Sequence, residues 1–149
     1  MYDQMKPVWL LNGSSVTNGA TSTASFDTIG YNLAHLDVRM ATADNSTNSP
    51  SVFKLSESDT TDATNYSDVT QFVGGGAGGW TIPAAITAAT ATVQNDYRFT
   101  IDLRARKRYI KLSISPRTTQ VISAVVNLGR AENAPVTAAK AGIASLVEG

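Results

Sequence analysis

The chain has 149 residues, with 12 Lys and Arg against 12 Asp and Glu, one His and no Cys. A chain of this length buries roughly 68–70% of its unfolded surface, so a core can hold it without a disulfide or a metal. The lack of cysteine excludes thiol nucleophiles, thiolate-ligated zinc, iron–sulfur clusters and a disulfide framework, and a single histidine excludes metal sites built on several imidazoles.

No stretch of about 18 apolar residues is present, which gives no membrane-spanning helix. The start, Met1-Tyr2-Asp3-Gln4-Met5-Lys6-Pro7, lacks the basic-then-apolar order of a secretory signal, so the expectation is a soluble chain made in a reducing cytoplasm. Charged residues are 16% of the chain, against about 25% in an average domain, and Ser, Thr and Asn make up the polar balance. Such a surface suits strand faces and packed assemblies, because Thr favours pleated backbone and little charge must be dehydrated at a contact. A plain polar β-domain has the same composition. The charge is also unevenly placed: residues 1–75 carry a net −5 and residues 76–149 a net +5. Opposite halves can attract within the fold or form complementary patches between copies, and the sequence leaves both open.

Taken in chain order, residues 12–25 are small and polar with Gly at turn positions, and residues 1–25 are expected to form an extended arm with short strands at most. Leu36-Asp37-Val38-Arg39-Met40-Ala41 alternates as a half-buried strand does. Residues 44–50 read as a loop, and Val52-Phe53-Lys54-Leu55-Ser56 resumes the alternation with Phe53 and Leu55 inward and Lys54 outward. Residues 58–65 form another loop, since Asx and hydroxyl side chains bond nearby backbone in turns.

Gly74-Gly75-Gly76-Ala77-Gly78-Gly79 matches the letters of a dinucleotide loop, but Trp80-Thr81-Ile82-Pro83 follows where a phosphate-binding helix would have to start. A flexible hairpin tip is expected instead, with Trp80 either a core anchor or an interface aromatic. Tyr97, Phe99, Ile101 and Leu103 are apolar at odd positions, whereas Ile110, Leu112 and Ile114 are apolar at even ones. A period of two cannot change parity within a regular strand, so the chain turns or bulges between Leu103 and Ile110. Val121–Leu128 is apolar on both parities, as in a strand buried on both sides. Strands over 97–103, 109–115 and 120–128 are expected to form an antiparallel meander. Residues 131–149 are Ala-rich and read as a second arm that leaves Ile143, Leu146 and Val147 to pack on a neighbour. The whole is expected to be one domain with its core at about 26–130.

No catalytic, cofactor-binding or metal-ligating residues emerge. His35, among Leu33, Leu36 and Val38, reads as a hydrogen-bonded structural residue, and Asp59, Asp62 and Asp68 lack the alternating spacing and bidentate Glu of a calcium loop. The one dense charge run is Arg104-Ala105-Arg106-Lys107-Arg108-Tyr109-Ile110-Lys111. A nucleic acid could track it, but the chain's pI is about 6.5, whereas nucleic-acid modules tend to lie above roughly 9. Protein contact explains the cluster better, because arginine forks pair with carboxylates across interfaces. Trp80, Arg104, Arg106, Lys107, Arg108, Ile143, Leu146 and Val147 are therefore the candidate interface residues.

The order Phe53–Asp59, Tyr66-Ser67-Asp68-Val69, the glycine loop, Asp102–Lys111 and Ser123–Glu132 resembles small virion proteins of tailed bacteriophages, nearest the capsid decoration, or cement, proteins. The resemblance spans about residues 33–134 and rests on strand patterns with short polar signatures. It implies a β-sandwich or jelly-roll-like domain, commonly a homotrimer, bridging major capsid proteins on the capsid surface; joined to the reading of the residues, the expected fold is an all-β antiparallel sandwich or jelly-roll-like barrel with extended N- and C-terminal arms. The residues themselves point to no cofactor and no membrane partner. The alternatives are another virion role, at the head–tail junction or on the tail, with glycan-binding loops built from Trp80, Tyr66 and the Asn/Asp-rich turns, or a nucleic-acid-binding β module using Arg104 to Lys111.

Overall fold

A computed structural model describes residues 5–41, 50–82 and 95–131. They form eight strands: β1 (Lys6–Val16), β2 (Ser22–Asp27), β3 (Tyr31–Met40), β4 (Val52–Ser58), β5 (Ser67–Val73), β6 (Asn95–Asp102), β7 (Tyr109–Ser115) and β8 (Gln120–Ala131). Two single 3-10 turns, Ala63–Asn65 and Leu103–Ala105, are the helical elements among the described residues.

The strands make two antiparallel four-stranded sheets, ordered β1-β8-β3-β6 and β2-β7-β4-β5. The first strand pairs with the last, β2 with β7, β3 with β6 and β4 with β5. The chain is thus a long hairpin ribbon that folds back between β4 and β5 and wraps on itself, which is the strand order of a jelly roll. The chain is an all-β sandwich. Consecutive strands lie in opposite sheets, except for β4 and β5.

That order corrects the expected meander. β6, β7 and β8 are not hydrogen-bonded to one another: β6 lies beside β3, β7 between β2 and β4, and β8 between β1 and β3. The parity of apolar residues changes because the chain changes layers. Phe99 and Ile101 reach the core from one sheet, with Leu103 following from the turn, and Ile110, Leu112 and Ile114 reach it from the other.

Two further expectations are corrected. Residues 6–16 are an 11-residue edge strand rather than part of an arm. The register of β1 on β8 shifts between Trp9 and Leu11 and again between Leu11 and Ser14, so its apolar side chains never show a steady period. Val121–Leu128 is buried on one face only: Ile122, Ala124, Val126 and Leu128 are in the core, while Val121 is 43% exposed and Val125 half-buried. β8 is central within its sheet, and its position between β1 and β3 secures hydrogen bonds on both edges without covering its outer face.

The alternations of β3 and β4 hold as expected, with Leu36, Val38, Met40, Phe53 and Leu55 buried and Lys54 turned outward to Asp68. Phe53 is the hub where the sheets meet, its ring edge-on to Trp80 at 5.2 Å, Tyr97 at 4.9 Å and Phe99 at 5.4 Å. The glycine segment is a wound turn and not a hairpin tip, because β5 and β6 belong to different sheets. Gly74 N–H donates to the Phe53 carbonyl and Trp80 N–H to that of Val73, which folds the segment back and sets the indole against Phe53. The loop expected at 58–65 is present, with Asp62 accepting from Thr64 N–H at the start of its 3-10 turn.

Candidate functional site

The basic segment crosses from β6 to β7 through the Leu103–Ala105 turn, where the Asp102 carboxylate accepts from the Arg104 N–H. Its cations meet acids that the fold brings to them. Arg108 forks onto both carboxylate oxygens of Asp27 at 3.0 and 2.8 Å and lies 5.0 Å over the Tyr109 ring. Glu57 accepts from the Lys107 backbone N–H at 3.2 Å and stands 3.7 Å from Arg106, both half-buried. Arg104 forks back onto Asp102 and is 69% exposed. Thr28 donates from its hydroxyl and its N–H to the Arg108 carbonyl, fixing the end of the crossing.

The charge asymmetry is therefore offset in part within one chain. Asp27, Glu57 and Asp37 of the acidic half bind Arg108, Arg106 and Arg98 of the basic half. Arg39 with Asp96 is a fourth pair across the same divide. Lys111 sits 4.1 Å over the Tyr66 ring. Exposed pairs of this kind add little each, but they offset most of the positive charge that a phosphate backbone would seek.

Arg108, hydrogen-bonded to Asp27, holds that carboxyl below its ordinary range against the opposing effect of partial burial. Arg39 lowers Asp96 in the same way, and the N–H and hydroxyl of Thr64 lower Asp62. A carboxyl whose folded pKa lies below its unfolded value gives stability that is complete above the unfolded value, near 4, and is lost as pH falls through the folded one. The urea midpoint is accordingly expected to hold from about pH 7 to about pH 5 and to fall below about pH 4. Asp27→Asn is expected to lower the midpoint at neutral pH and to flatten its acid decline. An acid decline unchanged by that substitution contradicts the assignment.

Of the other residues singled out in the sequence, Trp80 is half-buried and packed on Phe53, Tyr97 and Phe99, the position of a core anchor. Ile143, Leu146 and Val147 lie outside the described residues. His35 is on the outer face of its sheet with Nδ1 3.2 Å from the Thr100 hydroxyl. Asp68 is bound to Lys54. Among the described residues, no three His, Cys, Asp or Glu side chains converge as metal ligands.

Sequence reading missed the outer face of the β1-β8-β3-β6 sheet. There Trp9 stands 64% exposed beside a groove of about 620 Å³. In register it faces Val125 of β8, which faces Asp37 of β3, which faces Arg98 of β6. The next row runs Ser123, Arg39, Asp96. The available signal was the pair of Asp-x-Arg spacings, Asp37/Arg39 and Asp96/Arg98, which in antiparallel strands set acid opposite base twice.

No protein-family model matches the chain, and no curated protein matches it. Among solved structures, it is similar to part of a family GH115 4-O-methyl-α-glucuronidase with specificity for decorated arabinogalactans, at 14% identity and TM-score 0.38, covering 83% of this chain and 16% of that one. It is also similar to the K3 cleaved adhesin domain of Lys-gingipain from Porphyromonas gingivalis W83, at 18% identity and TM-score 0.41, covering 84% and 72%. The chain thus spans about a sixth of the glucuronidase. At these scores neither likeness bears on function.

Proposed function

We propose that the protein is a non-enzymatic virion component that decorates a bacteriophage capsid, bridging major capsid protein subunits as a homo-oligomer on the particle surface. The observation that carries this reading is the pairing of the three arginines of the basic crossing with Asp27, Glu57 and Asp102. What remains outside is a hydroxyl-rich surface of low net charge with isolated apolar groups such as Ile29. Such a surface costs little to dehydrate, and repetition around symmetry axes gives many weak contacts high avidity. A sandwich stitched by two hydrogen-bonded sheets also resists deformation as a shell expands under DNA pressure. The same pairing counts against the nucleic-acid reading.

The test is the copy number of the chain in purified particles. Decoration requires copies in fixed, near-stoichiometric ratio to the major capsid protein. A handful per particle assigns the protein to the tail or the head–tail junction, and its absence from particles overturns the virion reading.

A further inference from the structure

We infer that the groove beside Trp9 is a binding site for a neutral oligosaccharide. The inference is independent of the decoration reading.

Three features of the outer face converge on that ligand. The first is the indole. Trp9 is 64% exposed on a strand whose backbone is fixed by pairing to β8, so a large flat apolar face is held in water where folding gives it no partner. A sugar ring presents C–H bonds on one face, and stacking them on an indole removes both surfaces from water.

The second is the polar lining. Asp37 accepts from Arg98 Nε at 2.6 Å and Nη2 at 3.0 Å, and Asp96 accepts from Arg39 Nε at 2.8 Å and Nη2 at 3.0 Å. The two forks lie on adjacent rows and run in opposite senses between β3 and β6, so acid and base alternate in both directions. Each fork fixes its own geometry yet leaves guanidinium N–H donors and carboxylate lone pairs facing outward. A hydroxyl needs both a donor and an acceptor, and each fork offers both side by side. Asn12 and Ser123 add further hydrogen-bonding groups to the wall.

The third is charge and size. Two arginines against two aspartates leave the face with no net charge, which gives a polyanion nothing to neutralise. A protein partner, including a second copy, would have to dehydrate two ion pairs that are already satisfied, a cost that new contacts over a shallow groove do not return. A saccharide instead replaces the waters on those groups with its own hydroxyls. The groove volume of about 620 Å³ falls in the range of small-ligand clefts, roughly 300–1,000 Å³.

The test uses the full chain against immobilised neutral gluco-, galacto-, manno- and xylo-oligosaccharides, followed by calorimetric titration of the best binder, a readout that does not depend on the indole. The expected result is saturable binding that salt does not weaken, reduced about tenfold or more by Trp9→Ala. Arg98→Gln is expected to weaken it as well, with Ile29→Ser as an exposed control that leaves it unchanged. Trp9→Ala alters an exposed side chain, so an unchanged melting profile separates lost binding from lost folding. Absence of binding across the panel overturns the proposal, as does binding that survives Trp9→Ala. A change of oligomeric state on Trp9→Ala, seen by sedimentation, assigns the face to a second copy and also overturns it. Preference for a polyanion with steep salt dependence does the same.

Discussion

Phe53→Ala is expected to cost about 3–5 kcal/mol of folding stability, read as a fall in the urea midpoint with little change in slope. Phe53 is fully buried on β4, and its ring is edge-on to Trp80, Tyr97 and Phe99. Trp80 follows the glycine turn, and Tyr97 and Phe99 belong to the opposite sheet, so one side chain joins two layers and a loop. Truncation removes the transfer energy of the ring and leaves a cavity that three large aromatics, each held by its own backbone, cannot close. Phe53→Leu keeps much of the volume and is expected to cost less than half as much. A loss below about 1 kcal/mol for the alanine variant contradicts the hub role, since that is the scale of an ordinary surface change.

Gly79→Ala is expected to destabilise by about 3 kcal/mol, the upper part of the usual range for one substitution. A β-carbon at residue 79 would lie 1.9 Å from the Val73 carbonyl oxygen, far inside contact distance. The carbonyl cannot retreat freely, because it accepts from the N–H of Trp80 at 3.2 Å and closes the turn that seats the indole. Gly19→Ala is the comparison: Gly19 has φ +75° with nothing near the added carbon, so only the left-handed backbone cost of about 1–2 kcal/mol applies. Tryptophan fluorescence should shift in Gly79→Ala as Trp80 is displaced and stay put in Gly19→Ala. Equal losses in the two variants contradict a close-approach requirement at Gly79.

What was legible in the sequence follows from which physical signals are local. Alternation in Leu36–Met40 and Phe53–Leu55 reports a half-buried strand whatever its partners, and both are placed as read. The parity change between Leu103 and Ile110 correctly located a break. Its meaning depended on partners some 60 to 80 residues away, such as Asp27 for Arg108, and no local pattern distinguishes a turn within a sheet from a crossing between sheets. β1 was hidden by its two register shifts, which scatter its apolar residues over both parities. β8 misled in the opposite way, since Val121 and Val125 on its outer face mimic burial on both sides.

The basic cluster was visible as a charge run, but its pairing was not, because the acids that meet it come from β2 and β4. Trp80 is compatible in sequence with a core anchor or an interface aromatic, and its ring contacts place it on the core. Trp9 carries no local signal, because exposure on a paired strand cannot be inferred from neighbours in sequence.

Decoration of a capsid is tested most directly by adding purified protein to expanded heads assembled without it and measuring both retention on the heads and their resistance to heat. Saturable retention is expected, together with release of DNA at a higher temperature. Heads that do not retain the protein, or that retain it with no gain in heat resistance, contradict it.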